Sequence, residues 1–420
     1  MVEILFLLLP LAFYSGWRAA RKQFKKQQQQ QCQLSDSFVT GVNYLLSEQP
    51  DKALEVFLDY PDIDEYTVET YQLLGNMFRG RGEVDRALRV HQNLIARPNL
   101  NAQQKEKAMF ALGKDFLAAG MMDRAERVFQ EMLDNISKTR QVSKSSVCRS
   151  LRSIYEQTQE WHKAIDATQC IQEHAGKDDD GNRGDGDDDD HKQVSNPALI
   201  AHYYCELADE ALHQGNLHEV DRLMGKAQKA HKQSTRLMSL RGDVAYHQQH
   251  YKQALKHYLA AIKTDSRLLS MLFDKLETAA IKANSIQSLQ NDLIKLYKKN
   301  QDKSLFEVIV VLANKHSLAS AGITKSAISQ EVGQLIESEL GSKKLNIESI
   351  YKASGFIRQH LDDGTHTGID AKAGLGLTQQ ALGNYLEGLP RFCCEHCGYR
   401  LHNYLWRCPA CQQWDTINHA

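Results

Sequence analysis

Four cysteines near the C-terminal end, Cys394, Cys397, Cys408 and Cys411, are spaced C-x2-C-x10-C-x2-C. Each C-x2-C pair can supply two thiolates from one tight turn, and two pairs together make the donor set of a tetrahedral Zn²⁺ or Fe site. Four thiolates close the coordination sphere and leave no position for a catalytic water, so the expected role is structural. Five of the chain's nine cysteines fall in its last 28 residues. The fifth, Cys393, stands C-x3-C from Cys397 and would break the symmetry of the two turns; His396 is a second, weaker competitor. Gly398 follows the first pair, where positive φ lets the backbone turn around the metal, and Pro409 stiffens the second. A module of about 30 residues is too small to fold on apolar burial alone. Phe392, Tyr399, Tyr404, Trp406 and Trp414 are expected to cover it. The spacing does not choose between Fe and Zn.

Elsewhere the chemistry of catalysis is missing. HExxH, GxSxG, a P-loop and a dinucleotide fingerprint are all absent from the sequence, which points to a protein that is not an enzyme. His247 and His250 lie among lysines and glutamines on what reads as a solvated helix face. The net charge of −1 sets up no global field to recruit nucleic acid. Cys32, Cys148, Cys170 and Cys205 are scattered, a distribution that suits a reducing compartment better than a disulfide scaffold.

The elements that carry the cysteines are helical. Seven prolines in 420 residues, with abundant Leu, Ala, Gln and Lys, describe a mostly α-helical chain. A 34-residue period shows in the small residues: Gly41 and Ala53, Gly75 and Ala87, Gly113 and Ala125, Gly242 and Ala254 keep one 12-residue offset, and Ala208 stands 34 residues before Gly242. This is the tetratricopeptide signature, in which a small residue on each helix of a hairpin lets two backbones approach. A weaker fourth copy, around Tyr155 and Trp161, has Arg152 where the small residue belongs, and residues 266–304 read as a degenerate seventh copy. The expected fold is all-α: a tetratricopeptide-repeat solenoid over residues 38–304, a helical extension over 305–388, and a metal-binding domain over 389–420. Between the fourth and fifth copies, residues 176–193 hold eight aspartates from Asp178 to Asp190 and read as a disordered acidic insert. Its spacing departs from a calcium loop, since Arg183 stands where that loop needs glycine.

Residues 1–20 carry only Glu3 and Arg18 as charges, and basic residues follow rather than precede the apolar run. That order predicts a transmembrane anchor whose N-terminus faces out and whose body is cytoplasmic, with a surface-lying helix as the second reading. Residues 21–37, rich in glutamine, read as a juxtamembrane linker.

Anchor, repeats and tetrathiolate in this order, with Glu3-Ile4-Leu5-Phe6-Leu7-Leu8-Leu9-Pro10, Leu74-Gly75-Asn76-Met77-Phe78-Arg79, Arg81-Gly82-Glu83-Val84-Asp85-Arg86-Ala87, Tyr203-Tyr204-Cys205-Glu206-Leu207-Ala208 and Trp406-x-Cys408-Pro409-x-Cys411-x2-Trp414, resemble the lipopolysaccharide assembly protein B family of Gram-negative bacteria. The resemblance implies an inner-membrane adaptor with a rubredoxin-like metal domain. Such an adaptor promotes breakdown of the LpxC deacetylase by the membrane protease FtsH and works with other lipopolysaccharide synthesis or transport proteins; homodimerisation is left open. The acidic insert and residues 305–388 depart from the family pattern. Two other classes compete. A rubredoxin-like redox protein would use Fe in the same four thiolates. A zinc-ribbon nucleic-acid binder would need more cations than Arg391, Arg400 and Arg407.

Overall fold

In the computed structural model, helical hairpins follow one another along the chain, and one register explains most of them. The structure describes residues 40–41, 43–44, 47, 49–59, 65–98, 100–135, 142–174, 195–317, 327–341, 346–360, 366–387 and 389–419. The expected anchor, linker and acidic insert lie outside the described residues. Among those described, no helix is long and apolar enough to cross a membrane.

Contacts divide the chain into two compact units, Met1–Gly181 and Asn182–Ala420. The first holds α1 (Pro50–Asp59), α2 (Glu65–Gly80), α3 (Val84–Ile95), α4 (Ala102–Ala118), α5 (Met122–Asn135), α6 (Lys144–Gln157) and α7 (Trp161–His174). The second opens with the hairpins α8 (Asn196–His213) with α9 (Leu217–Ala230) and α10 (Thr235–His247) with α11 (Tyr251–Thr264). A 3₁₀ turn, Ser266–Leu268, leads into α12 (Leu269–Lys282) and α13 (Ile286–Asn300). Four further helices follow: α14 (Lys303–Ser317), α15 (Ala327–Gly341), α16 (Ile347–His360) and α17 (His366–Glu387). A three-stranded antiparallel sheet ends the unit, with β1 (Phe392–Cys394) between β2 (Arg400–Leu401) and β3 (Ile417–His419).

The small residue on the first helix of each repeat faces the side chain 16 positions later on the second. A Cβ on Gly75 would stand 2.3 Å from the His91 ring, one on Gly113 2.6 Å from Phe129, and one on Gly242 2.3 Å from Tyr258. Glycine is required at these positions because a buried ring fills the space. At the same register the fifth copy pairs Ala208 with Met224, and the fourth pairs Arg152 with the fully buried Thr168. At that register the irregular fourth copy carries its large residue on the first helix and a small one on the second.

Seven positions after the small residue, each hairpin turn places one residue in the left-handed region: Gly82, Gly120, Gln159, Gly215 and Gln249. Asn284 takes the same conformation between α12 and α13. Glycine does this without strain; Gln and Asn carry a Cβ that resists it.

Polar groups also join the repeats. His91 and Asp115 are fully buried, with Nδ1 and Oδ2 2.5 Å apart, and Arg79 Nη1 donates to Asp115 Oδ1 at 2.8 Å. One carboxylate of the third repeat is therefore shared by two groups of the second, which compensates its desolvation.

The scattered cysteines suit a reducing compartment better than a disulfide scaffold in sequence, yet Cys148 and Cys170 form a disulfide, with Cα atoms 6.3 Å apart. The antiparallel α6–α7 hairpin brings together two cysteines separated by 22 residues, a proximity that scattered positions in the sequence conceal.

Candidate metal centre

Each C-x2-C pair folds into a knuckle with the same hydrogen bonds. In the first, Gly398 N donates to Cys394 O and Cys394 N to Tyr399 O; in the second, Gln412 N donates to Cys408 O and Cys408 N to Gln413 O, all at 2.9 Å. The residue after the second cysteine of each pair is left-handed, Gly398 as the sequence predicts and Gln412 at φ 60°. Arg407 braces the second knuckle, donating from Nε and Nη2 to the backbone and side-chain oxygens of Gln412. That bracing offsets the missing glycine.

The two knuckles face each other. Cys394 Sγ lies 3.6 Å from Cys411 Sγ, Cys397 Sγ lies 3.7 Å from Cys408 Sγ, and all four sulfurs fall within 4.8 Å of one another. Bonds of about 2.3 Å to a tetrahedral ion give sulfur edges of about 3.8 Å, so this set fits one tetrathiolate metal. Cys393 Sγ turns instead toward the Cys394 carbonyl at 3.7 Å and is not among the four.

The thiols are unequal. Burial opposes ionisation of Cys394, but the Thr416 hydroxyl at 3.2 Å and the backbone N–H groups of Cys397 and His396 outweigh it and bring the thiol down to about 6. Burial, then the neighbouring sulfurs, push Cys411 up to about 12, and burial also raises Cys408. Four adjacent thiols cannot all ionise without a cation between them. A bound metal supplies that charge and ties the two knuckles together.

Phe392, Tyr404, Trp406 and Trp414 are buried as expected, whereas Tyr399 is 48 % exposed. The reason is that much of the covering surface comes from the repeats. Trp414 stacks on His202 of α8 with ring centroids 4.9 Å apart and meets Tyr203 edge-on at 5.9 Å. His202 Nε2 lies 2.8 Å from Asp415 Oδ2. The Arg236 guanidinium of α10 sits over Trp406 at 5.2 Å. Arg267, in the 3₁₀ turn, is held by Asp265 and donates from Nη1 to Asn418 Oδ1 at 2.8 Å. Glu348 of α16 lies 4.0 Å from Arg391. The ribbon is thus seated on the fifth and sixth repeats, with α16 beside it. His202, Arg236 and Arg267 are a site that sequence reading missed, because their partners lie more than 140 positions away.

Repeat hairpins that carry a four-thiol ribbon define a solenoid scaffold with a rubredoxin-like module. Residues 392–419 match the family model described as rubredoxin metal binding domain, and residues 70–103 match the tetratricopeptide repeat model. The chain is 31% identical to lipopolysaccharide assembly protein B of Escherichia coli K12 over 418 residues, covering 99% of this chain and 98% of that protein. It is 30% identical to the protein of the same name from Haemophilus influenzae over 426 residues, with the same coverage. The chain belongs to the lipopolysaccharide assembly protein B family. A solved tetratricopeptide repeat protein from Parabacteroides merdae is 12% identical, with a TM-score of 0.33 over 64% of this chain and 98% of that one.

Proposed function

We propose that this protein is a non-catalytic scaffold in lipopolysaccharide assembly, tethered to the inner membrane through residues 1–20, with its body on the cytoplasmic side. Cys394, Cys397, Cys408 and Cys411 hold one structural metal ion, Fe or Zn, in the domain spanning 389–420. The metal stabilises the ribbon, and the ribbon in turn lies against α8 and α10. Repeats and ribbon together form a partner-binding surface, and tethering it to a membrane raises its effective concentration toward membrane-bound partners. The partners on this reading are an FtsH-type protease and an LpxC-type deacetylase, with the protein promoting proteolysis of the second by the first.

The observation that carries the reading is the closed four-sulfur cluster fixed to the repeats by Trp414, Asp415 and Asn418. It supports a fixed recognition surface rather than a site that turns over substrate. Depletion of the protein in cells tests the reading: the deacetylase half-life is expected to lengthen severalfold. An unchanged half-life refutes the adaptor role. Cells carrying Cys394→Ser/Cys397→Ser in place of the native protein are expected to behave like depleted cells.

A further inference from the structure

The ribbon sulfurs can hold a metal only as thiolates, yet the first unit contains a closed bridge, Cys148–Cys170. One chain thus carries two sulfur clusters with opposite redox requirements. This contrast rests on the metal-bearing ribbon proposed above. In surroundings that keep four thiols reduced, a disulfide elsewhere in the same molecule persists only if it is shielded or in exchange with the thiol pool.

The bridge is not fully shielded. Cys148 is buried in the second turn of α6, but Cys170 is half-exposed in the last turns of α7. Cys170 is therefore the end of the bridge nearer to solvent. Within its own unit the α6–α7 hairpin is the last, and it packs on α5 from one side. Order in a repeat hairpin comes from its own two-helix packing and from its interface with the neighbouring hairpin, and a covalent link between α6 and α7 adds directly to the first of these.

We infer that Cys148 and Cys170 form a thiol–disulfide exchange site for small thiols and disulfides of the glutathione class, and that its state sets the order of the α6–α7 hairpin. A glutathione thiolate attacks Cys170 Sγ; the Cys148–Cys170 bond breaks, and Cys148 leaves as a thiolate and takes a proton from solvent. A second glutathione thiolate attacks the glutathione sulfur of the mixed disulfide, and Cys170 leaves in turn. Two thiols have then given two electrons to the bridge, yielding the protein dithiol and one glutathione disulfide. The reverse sequence closes the bridge.

The test uses the full-length, metal-loaded chain equilibrated without oxygen in buffers of graded reduced and oxidised glutathione, then acid-quenched, alkylated and digested. The ratio of linked to alkylated Cys148 and Cys170 peptides is expected to follow one two-electron step, changing tenfold for each tenfold change in [GSH]²/[GSSG]. Proteolytic cleavage within α6–α7 is expected to speed up at least tenfold on reduction, while a Cys148→Ser/Cys170→Ser variant is cut at the reduced rate in every buffer. Linked peptides that survive millimolar reduced glutathione alone, or alkylated ones that survive oxidised glutathione alone, overturn the exchange site. Equal cleavage of the two states overturns its coupling to hairpin order. Metal content of the same samples reports on the ribbon: its loss across the range contradicts the metal reading, while the peptide ratio still decides the exchange site.

Discussion

Replacing Gly242 by alanine should destabilise the protein even though alanine is the better helix former. The substitution gains about 1 kcal/mol of helix propensity. Against this, the added Cβ would stand 2.3 Å from Tyr258 Cε1, 2.4 Å from Cδ1 and 2.9 Å from Cζ. The ring cannot retreat: Tyr258 is 1% exposed, and its hydroxyl donates to Asp243 Oδ1 at 2.7 Å. Overpacking of this kind costs about 1–3 kcal/mol, so a net loss of up to about 2 kcal/mol is expected. Gly225 on α9 is the control, since a Cβ there meets nothing within 4 Å; Gly225→Ala should stabilise by up to about 1 kcal/mol. Urea unfolding of the full-length chain, followed by far-ultraviolet circular dichroism, reads both as midpoint shifts at constant slope. The fifth repeat supplies a repair, because Ala208 stands opposite Met224 at the same register. Gly242→Ala/Tyr258→Met should recover stability relative to the sum of its single changes by about 1 kcal/mol. If Gly242→Ala is as stable as Gly225→Ala, the close-approach argument for the repeat glycines is wrong.

Asp115→Asn leaves His91 and Arg79 without their shared carboxylate and should cost about 3 kcal/mol, read as a lowered urea midpoint; no shift would mean that the buried network is not formed. Asp415→Ala removes the partner of His202 and should weaken ribbon seating by about 1–3 kcal/mol, seen as faster amide exchange in β1 and β3 with metal content unchanged. Burial, followed by the nearby Arg241 and Lys256, lowers the pKa of His257. The unfolded chain therefore binds its proton more readily than the folded one, and stability is complete above about pH 6.5 and falls as pH drops toward the depressed folded value. The native protein should lose stability relative to His257→Gln between pH 7 and pH 5.5 and match it at pH 8; parallel curves would contradict the burial of that ring.

What the sequence made legible follows from which forces act locally. The four metal-site cysteines and Gly398 could be read because a knuckle is a contiguous stretch with fixed chemistry. Gly75, Gly113 and Gly242 could be read because a solenoid repeats one packing contact at one spacing. Gln412 hid the symmetry of the second knuckle: its left-handed backbone is held by Arg407, and side-chain bracing has no sequence signature. Gln159 and Gln249 likewise take turn conformations that glycine adopts in neighbouring hairpins. The Cys148–Cys170 bridge escaped because proximity across a hairpin depends on helix lengths that spacing alone does not fix. The ribbon's seat escaped for a similar reason, since His202 and Asp415 are 213 positions apart. Among the described residues, four helices from Lys303 to Glu387 lack the repeat register, and their helicity was readable where their pairing was not.

Metal analysis of the full-length chain, combined with X-ray absorption at the metal edge, tests the central claim most directly. One metal ion per chain, bound by four sulfurs at about 2.3 Å, is expected, with both the ion and the ribbon fold lost in Cys394→Ser/Cys408→Ser. A chain that keeps a folded ribbon with less than a tenth of an ion bound, or whose ion has nitrogen or oxygen among its protein ligands, would contradict the account.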